Sequence, residues 1–183
     1  MSTAASPHPS DPPRRMVIMG VAGSGKTTIG EALARAIGAT YVDGDQLHPP
    51  ANIAKMSAGI PLSDEDRWPW LAKVGETLRP GSPTILVGCS ALKRTYRDFI
   101  TESAAAPVLF IYLNGSRELI SRRMRERTGH FMPTGLLDSQ FATLEAPGPD
   151  ENAIAVTIDA PLDEIVKSIV GRIRGLSRST GAP

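Results

Sequence analysis

Gly20-Val21-Ala22-Gly23-Ser24-Gly25-Lys26-Thr27 completes the pattern G-x-x-x-x-G-K-[ST] early in the chain. Each fixed residue type has a chemical reason. Glycines let backbone N–H groups curl around nucleotide phosphates, the lysine ammonium reaches the β- and γ-phosphates, and the threonine hydroxyl ligates Mg²⁺. Met16-Val17-Ile18-Met19 before it reads as a short buried strand, and the run after Thr27 places Ile29, Leu33 and Ile37 at helical spacing. A phosphate chain at that junction would meet the unpaired N–H groups and positive dipole end of a helix. The motif therefore predicts a nucleoside triphosphate site with contacts from Gly20, Ala22, Gly23, Ser24, Gly25, Lys26, Thr27 and Thr28.

Asp43-Gly44-Asp45 is the second constellation, directly after the next strand-like run. Two carboxylates flanking a glycine can both face a cleft. One is suited to hydrated Mg²⁺, and the other to orienting an attacking hydroxyl or accepting its proton. Taken alone, the tripeptide is an ordinary Asp-Gly turn; its place behind the phosphate loop favours function. Asp45 is read as the base because Leu47-His48 beside it looks substrate-facing, and Asp43 joins Thr27 as the metal pair, although the two acids could exchange roles. The third strand ends in Gly88-Cys89-Ser90 without an acid, which strengthens Asp43 as metal partner; Cys89 reads as a small buried hydrophobe.

Four arginines, Arg122, Arg123, Arg125 and Arg127, crowd one helix end. Arg123 and Arg127 share a face and are expected to converge on the polyphosphate, while Arg122 and Arg125 face solvent. A basic face completing a helix C-terminus is the competing reading. Lys55, Arg67, Lys93 and Arg97 are further cations that, taken singly, read as ordinary surface ion pairs, and Trp68-Pro69-Trp70 suits either a pocket wall or core packing.

These residues need elements to hold them. Apolar strand-like runs at Met16–Gly20, Thr40–Val42, Thr84–Val87, Val108–Leu113 and Ile154–Ile158 alternate with helical runs at Thr27–Gly38, Asp64–Arg79, Leu92–Thr101, Ser116–Arg127 and Leu162–Arg174. Short, nearly non-alternating strands between amphipathic helices predict an α/β fold, a five-stranded parallel sheet covered on both faces. Ligands of such sheets lie beyond the carboxyl ends of the strands, where the loop and both acids fall. Two segments interrupt the alternation: a flap at about 46–80, with a short helix at Asn52–Ser57, and a lid at about 126–149, with a helix at Leu136–Leu144.

The 183 residues make one domain, 16–176, between a proline-rich N-terminal tail, 1–15, and a C-terminal tail, 177–183. A net charge of +1 argues against nucleic-acid partners, the lone Cys89 against a disulfide framework, and no apolar run is long enough for a membrane span. A reducing cytoplasm is the expected location.

Beyond these motifs, Asp43-Gly-Asp45-Gln-Leu-His48-Pro, Asn52-Ile-Ala-Lys55-Met56 and Gly59-Ile-Pro61-Leu62-x-Asp64-x-Asp66-Arg67-x-Pro69-Trp70-Leu71 resemble the gluconate kinase (gluconokinase) family. So do Cys89-Ser90-Ala91-Leu92-Lys93, Tyr96-Arg97-Asp98, Gly129-His130-Phe131 and Ser139-Gln140-Phe141-x-Thr-Leu144-Glu145-x-Pro147. The resemblance runs from Gly20 to about Pro161. It implies a P-loop fold similar to shikimate and adenylate kinases with a mobile lid, ATP-dependent phosphorylation of D-gluconate to 6-phospho-D-gluconate, and a homodimer. By the same resemblance, Lys26, Asp45, Arg123 and Arg127 are catalytic, ATP and Mg²⁺ are the cofactors, and His48, Lys55, Arg67, Lys93, Arg97 and His130 join Asp45 in binding substrate. A sugar-acid carboxylate needs a cation and its hydroxyls need hydrogen-bonding groups; which cation meets the carboxylate stays open. A related kinase for shikimate or another sugar acid is the alternative.

Overall fold

The computed structural model describes residues 13–81, 83–126 and 134–179. Within them five strands form one wholly parallel sheet: β1 (Arg15–Met19), β2 (Thr40–Asp43), β3 (Ile85–Gly88), β4 (Leu109–Asn114) and β5 (Ala153–Thr157), in the order β2-β3-β1-β4-β5. Each lies within a residue of its sequence-based bounds. The central strand β1 is buried along its whole length, which is why it reads as an unbroken apolar run.

Alternate side chains of β1 feed two cores. Met16 and Ile18 pack with α1 (Lys26–Ile37), α5 (Arg117–Glu126), α6 (Thr134–Thr143) and α7 (Leu162–Ser179). Val17 and Met19 face α3 (Asp64–Thr77) and α4 (Arg94–Ala104), through Trp70, Leu71, Val74, Tyr96 and Ile100. The result is the expected three-layer α/β/α sandwich. No helix among the described residues is long and apolar enough to cross a membrane.

Helix ends shift by up to five residues from the sequence reading, and three differences bear on the surroundings of the site. The short helix α2 (Pro50–Ser57) starts two residues earlier than Asn52, because proline is well tolerated at a first helical position whose N–H would be unpaired anyway. The expected C-terminal tail begins too early: α7 runs on through Ser179, well past its last buried anchor, Ile173. Finally, the flap at about 46–80 is only partly a flap, because the second half of α3 buries Trp70, Leu71, Val74 and Leu78 against the sheet. What stands outside the layers is the stretch up to the Ser63 cap of α3, where Ile53, Met56 and Ile60 remain exposed. Within the lid range, 127–133 lies outside the described residues, whereas Leu137 of α6 is buried in the core.

Candidate functional site

The phosphate loop leaves the carboxyl end of β1 at the centre of the sheet. It is tied to β3 by Gly20 N–H donating to Ser90 O at 3.3 Å and Cys89 N–H donating to Ile18 O at 3.0 Å. Gly25 stands at the N-cap of α1 with φ 93, a left-handed conformation that side chains strain to adopt. The cap has no side-chain hydrogen bond and the first turn of α1 has no acidic residue. Hence the N–H groups at this helix end await an anion from outside. Lys26 Nζ folds onto the loop, donating to Gly20 O and Val21 O at 3.1 Å each. Burial lowers its pKa, and Asp45 and Asp43 push the other way, so both acids lie within electrostatic reach of the lysine. Ser24 Oγ is buried with no partner among the described residues. A loop with free N–H groups, a hinged ammonium and an unsatisfied hydroxyl fits a polyphosphate.

The two acids sit where β2 turns into a 3-10 turn, Gly44–Leu47. Asp43 caps this turn, its Oδ1 accepting from Asp45 N–H at 3.0 Å. Asp45 is exposed, and its carboxylate makes no hydrogen bond among the described residues. Gly44 is required by close approach: a Cβ there would lie 2.2 Å from the carbonyl oxygen of Gly88. Trp70 Nε1 donates to Gly44 O at 2.8 Å, which pins the turn from the α3 side. The acids are thus held differently, Asp43 as a cap and Asp45 free toward the cleft. That asymmetry suits Asp43 for a fixed metal shell with Thr27, which is exposed at the start of α1.

His48 follows the acids. Its ring stacks on Trp70 at 4.1 Å between centroids, and Asn52 Nδ2 lies 3.2 Å from its Nδ1. The same Asn52 nitrogen donates to Asp66 O at 2.8 Å, which identifies it as the amide nitrogen. Burial lowers the His48 pKa; Asp45 raises it and Arg67 lowers it. A neutral ring that accepts at Nδ1 carries its proton on Nε2, leaving one donor for a hydroxyl.

The cations called from sequence separate into two kinds. Lys55 Nζ is 2.7 Å from both carboxylate oxygens of Asp66, whose pKa this bond lowers. Lys93 Nζ pairs with Asp64 at 2.9 Å, and the Tyr96 hydroxyl donates to the same carboxylate, so Tyr96 and Lys93 together hold Asp64 below the usual range. Arg67 is different. It donates from Nη2 to Leu62 O at 3.1 Å and lies over the Tyr96 ring, but its Nε is buried with no partner among the described residues. It bears electrostatically on His48, Asp64, Tyr96 and Cys89, which places it near all four.

Arg97 is the correction. The sequence reading put it on the substrate, yet its side chain is 1% exposed and forms a two-bond pair with Glu151, Nε to Oε2 at 2.6 Å and Nη2 to Oε1 at 2.9 Å. Its Nη1 donates to the carbonyls of Ala91, Leu92 and Glu145. At least three of its five N–H groups are committed in this way, and a side chain so nearly buried is closed to a ligand; it fastens the start of α4 to the segment before β5.

On the helix side, Arg122 and Arg125 are exposed as expected, while Arg123 is half-buried and donates from Nη2 to Ile158 O at 2.6 Å, beyond the end of β5. Arg127 and His130 lie outside the described residues. Cys89 is fully buried, with its thiol pushed up to about 12 chiefly by burial, as a small core residue would be. Beside Tyr96 and Glu151, other participants carried no role in the sequence reading. Asn52 orients His48, and Asp64 and Asp66 neutralise lysines. Tyr41 also belongs here: its hydroxyl is buried and pushed up to about 12 chiefly by burial, with the Thr27 side chain close enough to temper that shift. The one available signal was the spacing of His48 and Asn52, a polar pair four residues apart.

Residues 16–147 match the family profile described as AAA domain. The thermosensitive gluconokinase of Escherichia coli (strain K12) is 50% identical over 146 residues, covering 78% of this chain and 77% of that protein. The crystal structure of a gluconokinase from Sinorhizobium meliloti 1021 superposes with a TM-score of 0.85 at 50% identity, covering 91% of this chain and 95% of that one. Shikimate kinase from Aquifex aeolicus, 16% identical with a TM-score of 0.51 over 92% of this chain and 99% of its own, shares the fold alone.

Proposed function

Because the chain belongs to the gluconokinase family, we propose that it transfers the γ-phosphoryl group of ATP to the terminal hydroxyl of D-gluconate, releasing 6-phospho-D-gluconate and ADP. The family membership supports the reaction, and the site supports a division of labour. Phosphates rest on the N–H groups from Gly23 to Thr28, and Lys26 leaves its loop carbonyls for the β- and γ-phosphates. Mg²⁺, held by Thr27 Oγ1 and through water by Asp43, would supply charge neutralisation across those phosphates. Asp45, the unengaged carboxylate, orients the attacking hydroxyl and takes up its proton. Arg123 and Arg127 spread the charge that develops on the transferring group.

On the acceptor side, Arg67 binds the gluconate carboxylate, and His48 Nε2–H donates to a hydroxyl of the polyol. The observation that carries this assignment is the buried, unpartnered Nε of Arg67 among cations already neutralised by Asp64, Asp66 and Glu151. An incoming carboxylate completes it with a charge-assisted, two-bond pair. Lys55 and Lys93 then act as rim donors, and His130 closes the set from the lid. A cytoplasmic homodimer completes the proposal, with sedimentation velocity as its check.

The test is an ADP-release assay over D-gluconate, its epimers and shikimate. D-gluconate is expected to give the highest kcat/KM by at least an order of magnitude. A flat profile, or a preference for shikimate, would overturn the acceptor assignment and leave phosphoryl transfer standing.

A further inference from the structure

One N–H of the phosphate loop is occupied by a side chain from far along the sequence. Ala22 N–H donates to the side-chain oxygen of Gln140, Oε1, at 2.6 Å, across a separation of 118 residues. An N–H can only donate, so the atom facing it is the amide oxygen, and the amide nitrogen Nε2 is bonded to the same carbon. No acceptor among the described residues takes a hydrogen bond from that nitrogen.

The helix bearing Gln140 is firmly placed. Leu137 of α6 is buried in the core, with Phe141 and Leu144 packed beside it. Leu144 N–H closes the helix on Gln140 O at 2.9 Å, and Glu145 N–H donates to Leu92 O at 2.8 Å. Glu145 also accepts Arg94 N–H at 2.7 Å, and Arg97 holds its carbonyl. Gln140 thus reaches the loop from an arm bolted to the start of α4. Met124 of α5 presses on the loop from another side, its Cγ 2.6 Å from where a Gly23 Cβ would stand.

We propose that Gln140 is a positioning residue of the phosphate loop. Its Oε1 fixes the Ala22 amide, and its Nε2 supplies an uncharged donor beside the bound phosphoryl chain. Neutrality is the point of the residue type. A glutamate would hold the same N–H but set a negative charge against the nucleotide, whereas glutamine anchors the loop without opposing an anion. The proposal rests on the nucleotide half of the reading above and is independent of which acceptor is phosphorylated.

The experiment compares the full chain with Gln140→Leu and Gln140→Glu. Dissociation constants for ADP and a non-hydrolysable ATP analogue are measured by titration calorimetry without acceptor, beside thermal midpoints. Gln140→Leu removes the acceptor of a loop N–H and is expected to weaken both nucleotides about tenfold. Gln140→Glu keeps the hydrogen bond, so its affinity is expected to recover toward wild type as pH falls toward the carboxyl range near about 4.3. It should also take up a proton on nucleotide binding, seen as a buffer-dependent heat. Nucleotide affinities within about twofold of wild type in both variants would overturn the proposal. So would equal, pH-independent losses that follow the thermal midpoint, because they would mark Gln140 as packing alone.

Discussion

Exchanging the fates of two arginines is the sharpest test of the site. Arg97 lies in the sequence block shared with gluconokinases, yet the structure gives it to Glu151 and three carbonyls. Arg97→Met preserves much of the aliphatic volume and removes the charge. The Glu151 side chain, 8% exposed, would keep the Gly148 N–H as its remaining partner, and the carbonyls of Ala91, Leu92 and Glu145 would lose a common donor. Breaking a buried pair from one side costs about 3–5 kcal/mol. A loss of about 4 kcal/mol is a large part of the about 5–15 kcal/mol that holds a domain together. For a chain of this length it lowers the thermal midpoint by roughly 8–16 °C.

The same pair carries a pH signature. Arg97 holds the Glu151 carboxyl below its ordinary value, against the opposing effect of burial. A depressed carboxylate contributes stability above its unfolded pKa, about 4.3, and loses it as pH falls through the lower folded value. Arg97→Met should therefore be less stable than wild type at neutral pH, and the gap should narrow on acidification below about pH 4. Urea unfolding across that range reads both effects, and gluconate KM measured below the melting transition should stay within about threefold of wild type. A stability within about 1 kcal/mol of wild type together with a tenfold rise in gluconate KM would refute the reasoning and return Arg97 to the substrate.

Four other outcomes follow from the geometry. Arg67→Met should raise gluconate KM at least tenfold and leave ADP affinity unchanged, because it removes the cation of the pocket wall that has no carboxylate partner; equal losses on both substrates in initial-rate kinetics would count against it. Lys26→Ala should cut kcat at least about 100-fold with an unaltered thermal midpoint, since its two carbonyl contacts in the free loop are replaceable by water. Gly44→Ala would force a Cβ to 2.2 Å from Gly88 O, costing about 1–3 kcal/mol in urea unfolding and depressing kcat by displacing Asp45. The lowered His48 pKa makes its neutral ring the bound form, so the contribution is full above the unfolded value of about 6.5 and fades as pH falls through the folded one; gluconate KM should climb on that acid limb, and His48→Gln should flatten the climb.

The reach of the sequence can be read from the span of each contact. The phosphate loop was legible because its chemistry is local, one strand end, one turn and one helix start. The position of Asp43 and Asp45 at the end of β2 was legible for the same reason, and the strand bounds held within a residue because buried parallel strands are written as continuous apolar runs. The cations were not legible. Whether a lysine or arginine is available to a ligand depends on a carboxylate brought from elsewhere, 11 residues away for Lys55, 29 for Lys93 and 54 for Arg97. Gln140 on Ala22, at 118 residues, is the same limitation at its longest. A shared block marks such positions without saying whether they face a ligand or one another.

The first turn of α3 shows how the fold makes that selection. Asp64, Glu65 and Asp66 open the helix, and Ser63 and Asp66 form a reciprocal capping box, as a positive helix end prefers. Two of those acids also reach outward, Asp66 to Lys55 and Asp64 to Lys93 and Tyr96. The residues that start the helix therefore also neutralise two of the three cations on the pocket wall. Arg67 is the next residue in the same turn and forms no ion pair of its own among the described residues. Its carbonyl contact, to Leu62, comes from the chain just before the cap, which holds the guanidinium without cancelling its charge. A pocket that left all three cations bare would attract any small anion, phosphate included. With two of them paired, the field is concentrated at one guanidinium beside a neutral histidine and a free aspartate. In the proposed reading, that arrangement suits a ligand with one carboxylate at one end and a hydroxyl to be activated at the other.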